Sequence, residues 1–266
     1  MKRLELARPP ARMHHLKAVE RNPRLARMLL DEGDVDDPSY AMERGIGVHH
    51  LVFGTRRVAG FEGKQRRGKE WEAFERENSD ATILTAKEYE KAQRMAEAVL
   101  FDPWAAPLLE GAVFEGTLLF DLNGRACRVT PDIRHPVTHV ADLKTCKSAK
   151  PEEFLRDAFF RRYFAQVAWQ RLGTELALGY RPPEGFIIAV ESAPPWAVTV
   201  VELTQAKLDE GEAYCREQLA KLVTCEERDV WPSYTANRVP WDVSPTGPMW
   251  MPEDDDQGDE DEETAA

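Results

Sequence analysis

The stretch PDIRHPVTHVADLKT, residues 131–145, limits what this chain can fold into more than any other. It reads as two strand arms joined by a turn at Pro136, yet it carries Asp132 on one arm and Asp142 and Lys144 on the other. Charged side chains are poor strand formers, and a carboxylate buried without a partner is costly. Residues two apart in a strand share a face, so Asp142 and Lys144 point the same way and Leu143 points to the opposite side. Asp132 comes within reach of Asp142 if the hairpin pairs. Two acids and a lysine gathered there need a counter-charge, and a divalent cation supplies it. Carboxylates, a main-chain carbonyl (here that of Leu143) and waters suit Mg²⁺ or Mn²⁺. Lys144 would sit beside a metal-bound water, able to orient it or help deprotonate it, which is the equipment of a phosphodiester hydrolase. Taken alone, so short a motif is more often a weak ion pair on a solvent-facing strand.

The flanking sequence supplies a scaffold. Residues 1–40 hold one short helix and the acidic loop DEGDVDDPSY, and read as an N-terminal extension. GIGVHHLVF, at 45–53, is apolar apart from its His pair, and a polar linker follows. TAKEYEKAQRMAEAVL is a helix, with Thr85 and Glu88 as a capping box and apolar residues at helical spacing. Residues 112–145 change to strand character: three strands in a meander, with Asn123-Gly124 as the first turn. A long helix from Glu152 ends near Gly173, two strands follow (GFIIAVES and WAVTVVEL), and a last helix runs from about Gln205 to Leu222. This order describes a mixed α/β sheet with helices packed on it.

Charge must be divided along the chain. The net charge of −12 alone argues against a nucleic-acid protein, but nine acidic residues lie between Glu253 and Glu263, which leaves −3 for the body. Basic clusters such as KQRRGK at 64–69 then matter locally, because phosphate affinity depends on where the positive charge sits. Residues 246–266 read as an acidic, disordered tail, either solubilising or a docking strip for a basic partner such as a single-strand-annealing protein. No apolar run is long enough for a membrane helix or a signal peptide, so a cytoplasmic protein is expected. The cysteines, 127, 146, 215 and 225, form no Cys-x-x-Cys pair and read as ordinary thiols.

Six ordered segments together carry a resemblance. RGIGVHHLVF resembles a Gly-x-x-x-His-x-Leu segment, RRGKEWEAFERENSDATILT the segment after it, and FEGTLLFDLNGRACRVTPDI a run of Glu, Gly and Arg-x-x-Pro-Asp. VADLKT carries Asp-x-Lys, RRYFAQVAWQ a Tyr/Gln helix, and FIIAVESAPPWAVTVVEL a closing strand pair. Across roughly residues 40–245 the chain resembles the RecE-type exonucleases of the RecB-like PDDEXK nuclease superfamily. The resemblance implies a PDDEXK (restriction-endonuclease-like) core over residues 41–245. It implies Mg²⁺-dependent digestion of double-stranded DNA ends from 5′ to 3′, leaving 3′ single strands for phage-type recombination, and a ring-shaped homo-oligomer.

Carried over residue by residue, the resemblance makes Asp132, Asp142 and Lys144 the catalytic set, with Glu115 and His49 beside them. The metal ligands would be Asp132, Asp142, the Leu143 carbonyl, Glu115 and His49. Without the resemblance, His49 is a packed polar residue and Glu115 an edge-strand acid. Tyr163, Gln166 and Arg162 are the expected DNA contacts, with Phe159 and Gln170 extending the same helical face. The competing readings are a RecB-like nuclease for single-stranded or branched DNA, and a non-catalytic DNA-binding recombination protein that keeps the fold.

Overall fold

The computed structural model describes residues 8–33, 39–63 and 66–234; the expected acidic tail and two residues of the basic run, Lys64 and Gln65, lie outside them. Two helices open the chain where the sequence suggested one, α1 (Met13–Arg21) and α2 (Pro23–Glu32). Asn22 separates them and caps the second, its side chain accepting from the Arg24 amide at 3.0 Å just ahead of Pro23. The apolar run with the His pair is the end of α3 (Tyr40–Phe53), capped by Ser39. What read as a polar linker folds as β1 (Arg57–Phe61), α4 (Lys69–Glu77) and β2 (Ala81–Thr85), the two strands pairing in parallel. Gly47 lets α3 lie close on β2: a Cβ there would stand 2.7 Å from Leu84 Cδ1. The helix α5 (Ala86–Phe101) starts at Thr85 as expected, the Thr85 hydroxyl accepting from the Glu88 amide at 3.3 Å.

Residues 112–146 form five strands rather than three: β3 (Val113–Phe114), β4 (Leu118–Leu122), β5 (Arg125–Val129), β6 (Ile133–Arg134) and β7 (His139–Cys146). β4 and β5 pair with each other as a separate hairpin, through the Asn123-Gly124 turn with φ of 56° and 81°, and Ala11 adds a single parallel bridge to Cys127 of β5. The chain then crosses through α6 (Pro151–Phe160) and α7 (Tyr163–Leu178) to β8 (Glu184–Glu191) and β9 (Val198–Glu202), and the last element among the described residues is α8 (Gln205–Arg228). The main sheet has the order β3-β6-β7-β8-β9, with β7 and β8 parallel and the other neighbours antiparallel.

The expected long helix is therefore two. It breaks at Arg162, a non-glycine residue at φ 59°, and α7 continues past Gly173 to a cap at Gly179. Gly173 does not end the helix. It admits the β4–β5 hairpin, since a Cβ there would come within 2.5 Å of Val129 Cγ1 and 2.8 Å of Phe120 Cε1.

Strand β7 divides two cores by simple alternation. On one face Val140, Ile187 and Ala189 pack with Phe164, Val167 and Leu172 of α7, Leu208 and Leu219 of α8, and Leu16 and Val19 of α1. On the other, Ala141, Leu143, Ile188 and Val190 meet Val48 and Val52 of α3 and Met95 and Val99 of α5. The result is the mixed α/β sheet between helical layers that a PDDEXK core requires. Helices α1 and α2 contribute to the first core and are not a loose appendage. All four cysteines are free thiols, three of them buried. Among the described residues no helix is long and apolar enough to cross a membrane.

Candidate active site

The register of β6 on β7 sets Ile133 opposite Ala141, and so puts Asp132 beside Asp142. Asp132 Oδ2 accepts the Leu143 amide at 3.0 Å. Asp142 is wholly buried and shares a face with Lys144 toward α7, while Leu143 enters the opposite core. Asp142 Oδ1 accepts Nε2 of Gln166 at 2.9 Å and Nε2 of Gln170 at 2.7 Å. The Lys144 ammonium lies 2.5 Å from Asp142 Oδ2 and 5.0 Å from the centre of the Tyr163 ring. Tyr163, Gln166 and Gln170 thus form one stripe of α7 over the charged face of β7.

From the other layer α3 supplies His49, with Nε2 3.1 Å from the Leu143 carbonyl oxygen and Nδ1 3.8 Å from Asp132 Oδ2. A carbonyl only accepts, so Nε2 carries the proton and Nδ1 keeps its lone pair toward Asp132. The side chains of Asp132, Lys144 and His49 remain 15%, 18% and 21% exposed, so the cluster opens to solvent along one edge.

The electrostatics of the cluster are unresolved by its own members. Burial raises Asp132 well above the usual carboxylate range, and the neighbouring Asp142 charge raises it further. Burial would lift Asp142 too, but the Lys144 ammonium and the hydrogen bonds it accepts hold it below its ordinary value. Burial would lower Lys144; the Asp142 and Asp132 carboxylates outweigh that and raise it. His49 is pulled down to about 4, first by burial and then by Lys144, so its ring is neutral.

A divalent cation fits this donor set. Asp142 Oδ1 is filled by the two glutamines and Oδ2 is met by the Lys144 ammonium at 2.5 Å, so two closely set carboxylates have a single ammonium between them. Asp132 stands beside Asp142 with its ionisation opposed by burial and by the Asp142 charge more strongly than Lys144 favours it. Two carboxylates are the usual protein share of a Mg²⁺ site, which substrate and water oxygens complete. Among the described residues no three His, Cys, Asp or Glu side chains form a metal cage on their own. His49 lies at the edge of the aspartate pair, its Nδ1 3.8 Å from Asp132 Oδ2. The left-handed backbone of Glu115 (φ 51°) ties its amide to the Asp132 carbonyl at 3.2 Å, while its charge acts on His49 and His50. His50 turns away, its Nδ1 2.8 Å from the Thr82 hydroxyl.

The expected DNA contacts divide. Tyr163 and Gln166 reach the cluster. Arg162 does not: its guanidinium binds Glu20 at 2.6 Å and lies over the Tyr214 ring. Phe159, across the helix break on α6, does not share the stripe of α7. Gln170, which the sequence placed as an extension of the Tyr163–Gln166 face, does reach the cluster. One residue joins that the sequence had not marked: Lys17 of α1, whose ammonium lies 5.5 Å from the centre of the Tyr163 ring.

The model of a family described as a PDDEXK-like domain of unknown function (DUF3799) matches residues 16–238. No curated protein matches the sequence. A crystal structure from Eubacterium rectale, of a protein whose assignment as an exonuclease is itself an inference, superposes with a TM-score of 0.63 at 15% identity, over 88% of this chain and 89% of that one. The alkaline exonuclease of Laribacter hongkongensis matches at a TM-score of only 0.33 and 14% identity, over 71% of this chain and 94% of its own. At such identities the first likeness speaks for the fold, and the second carries no argument.

Proposed function

The chain belongs to the PDDEXK-like family whose model it matches, and on that premise we propose that it is a divalent-metal-dependent deoxyribonuclease, an exonuclease acting on double-stranded DNA ends. One observation carries this reading: two aspartates and a lysine converge on one face of β6–β7, so that two closely set carboxylates share a single ammonium. A module that only bound DNA would gain nothing from burying this conflict of charge.

Asp132 and Asp142 would hold the cation, with the Leu143 carbonyl, Glu115 and His49 as the nearest further donors. A bound Mg²⁺ or Mn²⁺ would lower the pKa of water and draw charge from the phosphoryl oxygens. The chain's own groups set the geometry. Gln166 and Gln170 fix the rotamer of Asp142 by holding Oδ1. The Leu143 amide fixes Asp132, and His49 holds the Leu143 carbonyl from the other layer. Lys144 is protonated beside Asp142, so its first role is to present an ammonium to phosphate oxygen and orient the attacking water. Tyr163 covers it with an aromatic face, which favours the charged form.

The finer assignment is 5′-to-3′ digestion that leaves 3′ single strands for annealing-type recombination, in company with an annealing protein and in a ring-shaped oligomer. A plasmid assay tests the whole. Closed circles should survive and linear duplex should shorten only with Mg²⁺, a 5′ end label being released before a 3′ label. Cutting of closed circles would replace the exonuclease by an endonuclease, and no cutting of any DNA would leave a binding protein.

A further inference from the structure

We propose that Lys17 is a second cationic phosphate ligand of this site, donating from α1 to a non-bridging oxygen of the same backbone phosphate that Lys144 meets. The inference rests on the nuclease reading for the identity of the site, but not on cutting itself. Lys17 and Lys144 lie 5.5 Å and 5.0 Å from the centre of one ring, that of Tyr163. Lys17 is part-buried, and among the described residues its ammonium takes part in no hydrogen bond and no ion pair. The carboxylate one turn along α1 cannot serve it, because Glu20 is engaged by Arg162 at 2.6 Å and by the Tyr214 hydroxyl at 2.8 Å.

An ammonium withdrawn from water beside a second ammonium is unfavourable unless an anion comes to it. The facing groups bear this out. Burial, then Lys144, pull Lys17 down to about 8, with Arg161 also opposing its charge; only Asp142 and Cys215 act the other way. Asp142 is already held by Lys144, Gln166 and Gln170. A phosphodiester offers two non-bridging oxygens, one for each lysine. The placement is also enforced. Arg162, at the strained break between α6 and α7, directly precedes Tyr163, and through Glu20 and Tyr214 it bolts α1 to both α7 and α8. Glu20 and Arg162 are positioning residues in this account, and Lys17 is the group that touches substrate.

The test uses the full chain and a short fluorescent duplex in EDTA, read by anisotropy across a KCl series. Lys17→Met, which keeps the stem, should bind at least about tenfold more weakly and lower the slope of log affinity against log salt by about 0.9. Lys17→Arg should restore both. In the wild type, competitive acylation at pH 8 should modify the Lys17 amine readily, and the duplex should protect it. With Mg²⁺, cutting by Lys17→Met should fall roughly 10²-fold. Unchanged affinity and slope in Lys17→Met, or equal labelling with and without duplex, would overturn the assignment. Should Lys17→Met fail to fold, protection in the wild type decides. Protection of Lys17 in a protein that cuts no DNA would uphold the phosphate ligand and sink the nuclease reading; normal cutting with an unprotected Lys17 would do the reverse.

Discussion

Two clusters of charge lie within a few residues of each other in this fold, and they are built to opposite rules. At the Glu20–Arg162–Tyr214 cluster every charge has its partner: the guanidinium binds both oxygens of Glu20, and the Tyr214 hydroxyl donates to the same carboxylate. Glu20 is lowered and Arg162 raised, as a matched pair should be. At the Asp132–Asp142–Lys144 cluster one carboxylate is forced up, its neighbour is held down by a lysine, and that lysine is the only ammonium bonded to the pair. The first cluster is complete and holds helices together. The second sets two carboxylates against one ammonium. A charge conflict kept inside an otherwise well-packed sheet marks the place where function was chosen over stability.

The two clusters should differ most in what substitution does to activity. Asp142→Asn, Asp132→Asn and Lys144→Ala should each lower Mg²⁺-dependent digestion of linear duplex by at least about 10³-fold, measured by release of end label. Retention of cutting by Asp132→Asn would separate the two aspartates. Gln170→Leu should cost less, roughly tenfold in rate, since Asp142 Oδ1 keeps its bond to Gln166. Arg162→Ala acts on the complete cluster, and its partly exposed pair should contribute only about 1 kcal/mol to stability, read in urea melts.

Stability should respond to pH with a definite sign. Asp132 binds its proton more tightly folded than unfolded, so its stabilising contribution is full below the unfolded value near 4 and is lost as pH rises toward the folded value. Without metal, Asp132→Asn should therefore melt higher than the wild type at pH 8, by roughly 2–4 °C, while being inactive. Addition of Mg²⁺ should stabilise the wild type more at pH 8 than at pH 5. An equal Mg²⁺ effect at both pH values would contradict the conflict of charge.

Much of this was legible in the sequence. The alternation in VADLKT fixed which side Asp142 and Lys144 would face, because a two-residue period leaves a strand buried on both sides no other choice. Thr85 and Asn123-Gly124 announced a helix start and a hairpin turn through backbone needs that few other residues meet as well. The break at Arg162 was hidden, since the run from Phe160 to Tyr163 contains neither Gly nor Pro and the turn is held by a residue 142 positions away. β1 and β2 were hidden as well, being five-residue strands set among charges and recognisable only once paired. Lys17 carried no local signal. Its meaning comes from a ring 146 positions later in the chain.

The central claim is that Asp132 and Asp142 share a divalent cation, and calorimetric titration of Mn²⁺ into the protein holding a short duplex tests it most directly. Saturable binding in the wild type that is lost in Asp132→Asn and in Asp142→Asn is the predicted result. Equal binding by all three proteins would contradict it.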